Sequence, residues 1–320
     1  MTDGGRGTRG LRRRTQDALL VAVYRTGWGA VRRLPERTAY ALFDRIADRM
    51  ARGRTHSVRR LRDNYAVVRP ELSEAELDAL VRAGVRSYLR YWCEAFRLPD
   101  LGADDLARAV RVVGDAPVRA SLAQGRAVVC FLGHLGNWDV AGAWATRHLG
   151  PVVTVAERLE PEEVFSEFLA FRERLGMRII PLTGAGEVFP QLADAAGEAV
   201  VIPLLADRDL TRGGIEVDFA GDRSRVAVGP AALALDSGAD LHPVSIHYER
   251  SPDGPGGWRS VITFHDRVDR PAGEGRHRAI RSMTEACART LGDVVRTHTE
   301  DWHMMQRVFV RHLDRDRVAS

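Results

Sequence analysis

Short apolar runs rich in β-branched residues recur from about residue 125 onward, and helical stretches separate most of them. Each run has the length of one strand. The stretches between them carry apolar residues at three- and four-residue spacing, which is typical of amphipathic helices. This alternation predicts an α/β fold, with a central β-sheet flanked by helices on both faces. The predicted strands lie at 127–133, 151–157, 177–182, 199–206, 215–221, 241–249 and 259–266.

The first third of the chain differs, because apolar residues at helical spacing continue there without a β-branched run. Ser73 and Glu76 form the sequence signature of a capping box at the start of a long helix. We therefore predict a single domain with a helical N-terminal layer, preceded by a basic and flexible tail. The predicted boundaries are 1–14 for the tail, 15–111 for the helical layer and about 112–320 for the α/β part, the last two forming the domain 15–320.

All 47 basic residues are arginines, and the net charge is only +4. This balance gives no support for a nucleic-acid partner, but dense arginine runs at 6–14 and 51–62 favour an anionic membrane surface. The apolar segment 17–34 is interrupted by Arg25 and is too short to span a bilayer, so it predicts either an interfacial helix or a core helix. Three widely separated cysteines favour a reducing compartment over a disulfide or zinc framework.

His134 directly follows the predicted strand 127–133, at the edge where α/β sheets bind ligands. Asp139 comes five residues later, in the predicted first turn of the next helix. A carboxylate that accepts a hydrogen bond from one imidazole nitrogen leaves the other nitrogen able to act as a base. The two residues therefore form a candidate catalytic pair. In the alternative, His134 caps the turn and Asp139 stabilises the helix N-terminus.

The segment "LLADRDL" at 204–210 brings a second set of charges to the end of another predicted strand. Asp207 is an alternative partner for His134. Arg208 forms either part of the site or a structural ion pair with Asp207 or Asp209.

Competing chemistries find little support in the sequence. The chain has no GxSxG nucleophile elbow, and no phosphate-binding glycine loop follows a strand and opens a helix. Spacings typical of metal ligands, such as HxH or HExxH, are also absent from the sequence, so we expect no metal.

Three blocks of the sequence resemble the lysophospholipid acyltransferases, and specifically their lipid A biosynthesis branch. "GHLGNWD" at 133–139 resembles the HxxxxD block of that family, while residues 207–249 and "EDWHMMQ" at 300–306 resemble its later blocks. The resemblance covers roughly residues 120–310 and implies a glycerolipid-acyltransferase-like fold. The "ADRDL" and "DWHMMQ" blocks are most similar to members that acylate a phosphatidylinositol mannoside.

The resemblance implies acyl transfer from the thioester acyl-CoA to a hydroxyl group, without a cofactor. His134 would be the base. Asp207, where that branch normally has a glutamate, would be its partner, and Asp139 stays the alternative. Glu157 and Arg172 fall where that branch has residues lining the site, and Arg208 and Arg225 are candidates to hold phosphates of the donor. The predicted substrate-binding set is Glu157, Arg172, Arg208, Asp209 and Arg225.

These observations predict a peripheral enzyme at the cytoplasmic face of the cell membrane. It would move a fatty acyl chain from acyl-CoA to a mannose hydroxyl of a phosphatidylinositol mannoside, or to another envelope lipid. A hydrolase that uses the same histidine and acid on water is one alternative, and a non-catalytic lipid-binding protein is another. Acyl-CoA consumption without a glycolipid acceptor would favour the hydrolase.

Overall fold

The computed structural model describes residues 27–53, 55–157, 162–182, 188–209, 211 and 213–313, apart from the side chains of residues 157, 162 and 164. The predicted tail 1–14 lies outside these residues, as does most of the segment 17–34, of which residues 27–33 are helical. No helix in the described part of the chain is both long and apolar enough to cross a bilayer.

The helical N-terminal layer is present, and its longest helix begins as the sequence predicts. The Ser73 hydroxyl accepts a hydrogen bond from the Glu76 amide, and the Glu76 carboxylate accepts one from the Ser73 amide at 2.8 Å, which completes the capping box. In chain order the helices are α1 (Glu36–Arg52), α2 (His56–Val68), α3 (Glu74–Arg97), α4 (Ala103–Ala109), α5 (Ala116–Ala123), α6 (Trp138–His148), α7 (Glu162–Arg174), α8 (Val188–Ala195), α9 (Gly229–Ser237) and α10 (Arg276–Thr297).

The central sheet has seven strands in the order β1-β9-β8-β2-β5-β3-β4, and β6 and β7 form a separate antiparallel hairpin. Neighbours in the central sheet are parallel except for β8 and β9. The fold is therefore α/β, as predicted. The strands are β1 (Val110–Val113), β2 (Val128–Leu132), β3 (Val152–Glu157), β4 (Met177–Leu182), β5 (Val201–Leu205), β6 (Ile215–Phe219), β7 (Asp222–Val226), β8 (Asp240–Arg250) and β9 (Trp258–Phe264).

Two strands depart from the sequence prediction. β1 begins inside the region predicted to be helical, because a four-residue strand at the sheet edge is too short to break the helical pattern. β7 has the polar sequence "DRSRV" and no apolar run, yet it pairs with β6 along its whole length. The run 215–221 was therefore correctly predicted as a strand, but it lies outside the central sheet.

The strands alternate their side chains between two cores. In β2, which is buried along its whole length, Val129 and Phe131 face one core, while Val128, Cys130 and Leu132 face the other. Helices α1–α3 and α8–α10 cover the first face, and α4–α7 cover the second. A strand that is buried on both faces has a continuous apolar sequence, which explains why the sequence predicts the central strands well.

Candidate active site

Neighbouring parallel strands place the two sequence blocks side by side. Leu132, at the end of β2, is in register with Leu205, at the end of β5. The chain then continues into Gly133–His134 after β2 and into Asp207 after β5. Because parallel strands end at the same edge of the sheet, His134 and Asp207 meet there although they are 73 positions apart.

Asp207 holds His134 through both carboxylate oxygens. Oδ1 lies 2.7 Å from Nδ1 of the imidazole, and Oδ2 accepts the backbone N–H of His134 at 2.9 Å. The indole Nε1 of Trp302 donates a third hydrogen bond to Oδ2, also at 2.9 Å. The Asp207 side chain is fully buried, whereas one third of the His134 side chain is exposed. An ionised Asp207 accepts a hydrogen bond from Nδ1–H of His134, which leaves Nε2 as the nitrogen that can act as a base.

Burial alone would raise the pKa of Asp207. The charge of His134 and the hydrogen bonds from His134 and Trp302 outweigh burial, so the pKa lies below the usual aspartate value. Asp207 is therefore a carboxylate at neutral pH, and its charge stabilises a protonated His134.

Asp139 has different partners. Its Oδ1 accepts from Nε of Arg172 at 2.7 Å, and its Oδ2 accepts from the Tyr91 hydroxyl at 2.8 Å. A further contact of 3.3 Å joins Oδ2 to the Arg172 guanidinium. The geometry thus pairs His134 with Asp207 and pairs Asp139 with Arg172. The helix N-terminus next to them is capped by Asn137, whose side-chain oxygen accepts the Val140 amide at 3.0 Å.

Residues 301–303 fix the loop that carries His134. The Gly136 amide donates to the Asp301 carbonyl at 2.9 Å, and the His303 amide donates to the His134 carbonyl at 2.7 Å. Gly136 has a φ of +57°, and a Cβ at this position would lie 2.6 Å from the Ile246 carbonyl oxygen. Only glycine fits such a conformation and approach. Backbone bonds and the Trp302 side chain therefore position both members of the pair.

Behind this segment, Asp301, Ser87 and His303 form a buried, hydrogen-bonded group. The Asp301 carboxylate accepts from the Ser87 hydroxyl at 2.6 Å and from the Tyr248 amide at 2.7 Å, and the Ser87 Oγ lies 2.9 Å from His303 Nε2. Burial raises the pKa of Asp301 to about 6 and lowers that of His303 to about 3. A neutral His303 beside His134 avoids adding a second positive charge to the site.

A second buried acid, Glu94, supports the helix that follows His134. Its carboxylate accepts from the Asn137 side chain and from the Tyr248 hydroxyl, each at 2.8 Å, and from the Tyr40 hydroxyl at 3.2 Å. Burial raises the pKa of Glu94, which these hydrogen bonds only partly offset. Sequence reasoning assigned no role to Glu94, Tyr248 or Trp302. The one signal available for Trp302 was its place in the "DWHMMQ" block.

A cavity of about 310 Å³ opens beside His134, between the sheet and α6. Six adjacent strands of the sheet contribute apolar side chains to it. Polar groups in the lining include His134, Asp139, Arg172 and Arg208. One apolar lining residue from each strand is Leu132 (β2), Val155 (β3), Met177 (β4), Val201 (β5), Val244 (β8) and Ile262 (β9).

Known proteins are similar to this chain over most of its length. Residues 11–311 match the family described as bacterial lipid A biosynthesis acyltransferase. The chain belongs to this family. It is an acyltransferase.

Two relatives of this acyltransferase are phosphatidylinositol mannoside acyltransferases. The protein of Mycolicibacterium smegmatis is 37% identical over 297 residues, which cover 92% of this chain and 93% of the relative. The protein of Mycobacterium tuberculosis strain H37Rv is 38% identical over 300 residues, which cover 93% and 90%. The resemblance stated from the sequence blocks is thereby confirmed.

The other predicted site residues of this family member fall into two groups. Arg172 and Arg208 line the cavity, and the Nε of Arg208 is buried with no hydrogen-bond partner in the described part of the chain. Asp209 and Arg225 instead shape the turn between β5 and β6, where Asp209 accepts the Thr211 amide and Arg225 donates to the carbonyls of Thr211 and Gly214. Neither is among the described residues that line the cavity. The side chain of Glu157 lies outside the described residues.

Few groups near the catalytic pair are arranged to hold a metal. Within the described ranges, one set of three potential ligands lies close enough to share a cation, namely His298, Glu300 and Asp301. Both oxygens of Asp301 already accept hydrogen bonds, from Ser87 and from the Tyr248 amide.

Proposed function

We propose that this acyltransferase moves a fatty acyl chain from acyl-CoA to a mannose hydroxyl of a phosphatidylinositol mannoside. The observation that carries the proposal is the His134–Asp207 pair beside a cavity with a mostly apolar lining. The pair supplies a base for a hydroxyl group, and the cavity supplies an environment for an acyl chain. The substrate is suggested by the names of the relatives, which cover nine tenths of the chain.

In the proposed mechanism His134 acts through Nε2. This nitrogen takes the proton of the acceptor hydroxyl as its oxygen attacks the thioester carbonyl carbon. The tetrahedral oxyanion then collapses, the carbon–sulfur bond breaks, and the leaving CoA thiolate takes the proton from the imidazolium. The products are an ester and CoA thiol. Asp207 fixes the imidazole orientation and stabilises its positive charge between the two steps.

The cavity suits the acyl chain of the donor. Its lining is mostly apolar, and six adjacent strands of the sheet contribute to it. Each buried methylene contributes about 0.8 kcal/mol to binding, so a long chain seated here anchors the thioester next to His134. Arg208 lines the same cavity with a buried, unsatisfied Nε, which makes it the first candidate to contact an anionic group of the substrate.

We place the enzyme at the cytoplasmic face of the membrane as a peripheral protein. The proposed acceptor is a membrane lipid, and acyl-CoA is a cytoplasmic thioester. The arginine runs at 6–14 and 51–62 support contact with an anionic surface. The mechanism needs neither a cofactor nor a nucleic-acid partner, since base, orienting acid and acyl site all come from the chain.

The test is an incubation of the purified protein with labelled palmitoyl-CoA and separate envelope lipids, among them phosphatidylinositol mannosides and phosphatidylinositol. We expect label in the mannoside and a matching release of CoA thiol, with both lost in His134→Ala. Label in another lipid would correct the acceptor. Release of CoA thiol without label in any lipid would contradict acyl transfer and favour a hydrolase.

A further inference from the structure

A groove separate from the catalytic cavity has an unusually basic lining. It encloses about 700 Å³ between the end of α1, the first turns of α2 and the first half of α3. We call it the basic groove. Its arginines are Arg52, Arg59, Arg60, Arg62, Arg82 and Arg307, and its acids are Asp63, Glu74 and Asp78.

One arginine engages two of the three acids. The Nε of Arg62 donates to Asp78 at 3.0 Å, and its guanidinium also contacts Glu74. The remaining arginines of the basic groove therefore outnumber the remaining acid by a wide margin. Like charges held this close repel one another unless an anion lies between them.

Within the described part of the chain, four of these arginines form no ion pair, namely Arg52, Arg60, Arg82 and Arg307. Asp48, an acid on the neighbouring helix α1, is already held by both Nε and a terminal nitrogen of Arg86, at 2.8 and 2.7 Å. The Nε of Arg60 is moreover buried without a hydrogen-bond partner among the described residues. A buried donor left unpaired is costly, and an anionic ligand would satisfy it.

The basic groove lies on elements that also support the catalytic site, but the two have separate linings. None of its described lining residues lines the catalytic cavity. Along α3, Arg82 precedes Tyr91 of the Asp139 network by nine residues, or about 13 Å. Asn64, one turn after Arg60, donates to the carbonyls of Met304 and Gln306 at 2.8 Å, directly before Arg307. The groove is thus connected to the catalytic site through α3 and residues 304–307, while its lining stays separate.

We propose that the basic groove binds a phosphate monoester or diester, as a docking site that is distinct from the catalytic cavity. Guanidinium groups match phosphate oxygens in pairs, and the volume exceeds that of a bare phosphate ion. Apart from the imidazole of His56, no aromatic side chain is among the described lining residues, so the groove lacks the stacking surface of a single-stranded nucleic-acid site. The same chemistry has two sources, the headgroup of an anionic phospholipid or a soluble phosphate ester.

The double variant Arg60→Gln/Arg82→Gln tests the proposal, with Arg278→Gln/Arg289→Gln as the matched control. The control removes the same charge from exposed positions on α10, outside the groove. Binding of the full chain is measured on phosphatidylglycerol-containing vesicles, on pure phosphatidylcholine vesicles, and to glycerol 3-phosphate and inositol 1-phosphate in solution. Thermal unfolding followed by circular dichroism checks that each variant is folded, and Arg307→Gln provides a milder second variant.

We expect the groove variant to lose affinity by about tenfold or more, since each lost charge-assisted bond costs that order. The control variant should stay close to wild type. A loss confined to anionic vesicles identifies a lipid headgroup, and a loss on the soluble esters identifies a phosphate ester. Equal losses in the two double variants, or a wild-type chain that binds none of these probes, overturn the proposal. Binding is read without turnover, so its failure leaves the acyl-transfer proposal untouched, and the reverse also holds.

Discussion

Two buried aspartates lie in the same site, and their partners give them different chemistry. Asp207 is paired with an imidazole, and Asp139 is paired with a guanidinium. Both side chains are almost completely inaccessible to solvent. An imidazole changes its charge near neutral pH, whereas a guanidinium stays protonated, so only the Asp207 pair can take up and release a proton.

The difference shows that burial and residue type do not define a catalytic acid. Asp139 belongs to the sequence motif, yet Arg172 and Tyr91 occupy both of its oxygens. The carboxylate raises the pKa of Arg172 still further, which makes that pair a permanent ionic link between α6 and α7. Asp207 instead follows β5 and hydrogen-bonds Nδ1 of His134, which leaves Nε2 as the nitrogen that can act as a base. Variants of each pair test this comparison.

Replacing His134 by alanine should have the largest effect on activity. A positioned base contributes roughly 10²–10⁴-fold to rate, so we expect a loss in that range while acyl-CoA binding persists. Initial rates with palmitoyl-CoA and acceptor lipid, together with an acyl-CoA binding assay, measure it. Retention of more than about a third of the wild-type rate would contradict the role of His134 as base.

Asp207→Asn should come next, because an asparagine no longer supplies the negative charge that orients and stabilises the imidazolium. We expect it to lose a large part of the roughly 10²–10⁴-fold contribution of the base. Asp209→Asn is the matched control two residues away, and its only described side-chain contact is to the Thr211 amide. Rates are compared at equal folded fraction. Equally small losses in both variants would leave Asp207 without a catalytic role.

Asp139→Asn should act mainly on stability. Removing one partner of a buried ion pair leaves the other charge uncompensated, at a cost of about 3 kcal/mol. We expect a lower midpoint of thermal unfolding, with a modest change in rate per folded molecule. If Asp139→Asn instead lost more activity than Asp207→Asn at matched folding, Asp139 would be the functional acid and Asp207 a structural one.

The sequence was sufficient for those parts of the fold that depend on local patterns. Central strands buried on both faces and long amphipathic helices have strong periodic signals. The short edge strand β1 and the polar strand β7 do not, since partners distant in sequence or a tight turn stabilise them.

The sequence pointed to candidate residues at the strand ends, but it could not say which of them pair. Motif spacing identified His134, Asp139 and Asp207, and it left the partner of His134 open. The choice depends on the register of β2 with β5 and on Arg172 reaching Asp139 from another helix, which no local pattern encodes. Trp302 escaped assignment for the same reason, because it lies 95 positions from the carboxylate to which it donates.

The smallest expected effect is that of Trp302→Phe, which is measured from the pH dependence of the transfer rate. Transfer should fall as the pH decreases and His134 becomes protonated, because the imidazolium cannot accept a proton. The Asp207 charge favours the imidazolium, so this loss should begin at a higher pH than for an isolated imidazole, whose pKa is about 6.5. Asp207→Asn removes the charge that favours the imidazolium, so the acid limb should move to lower pH. Trp302→Phe removes a donor to Asp207 and leaves the carboxylate more basic, so the limb should move slightly to higher pH. Its kcat should fall by about tenfold or less, with KM for acyl-CoA unchanged.

The measurement is the pH dependence of the transfer rate for the wild type, Asp207→Asn and Trp302→Phe, each as folded protein. It tests the direction of both shifts of the acid limb. Shifts of the same sign in the two variants would show that Trp302 acts through packing against Phe219 and Phe309 rather than through Asp207. A wild-type rate that is flat between about pH 5.5 and 8 would exclude His134 as the titrating base.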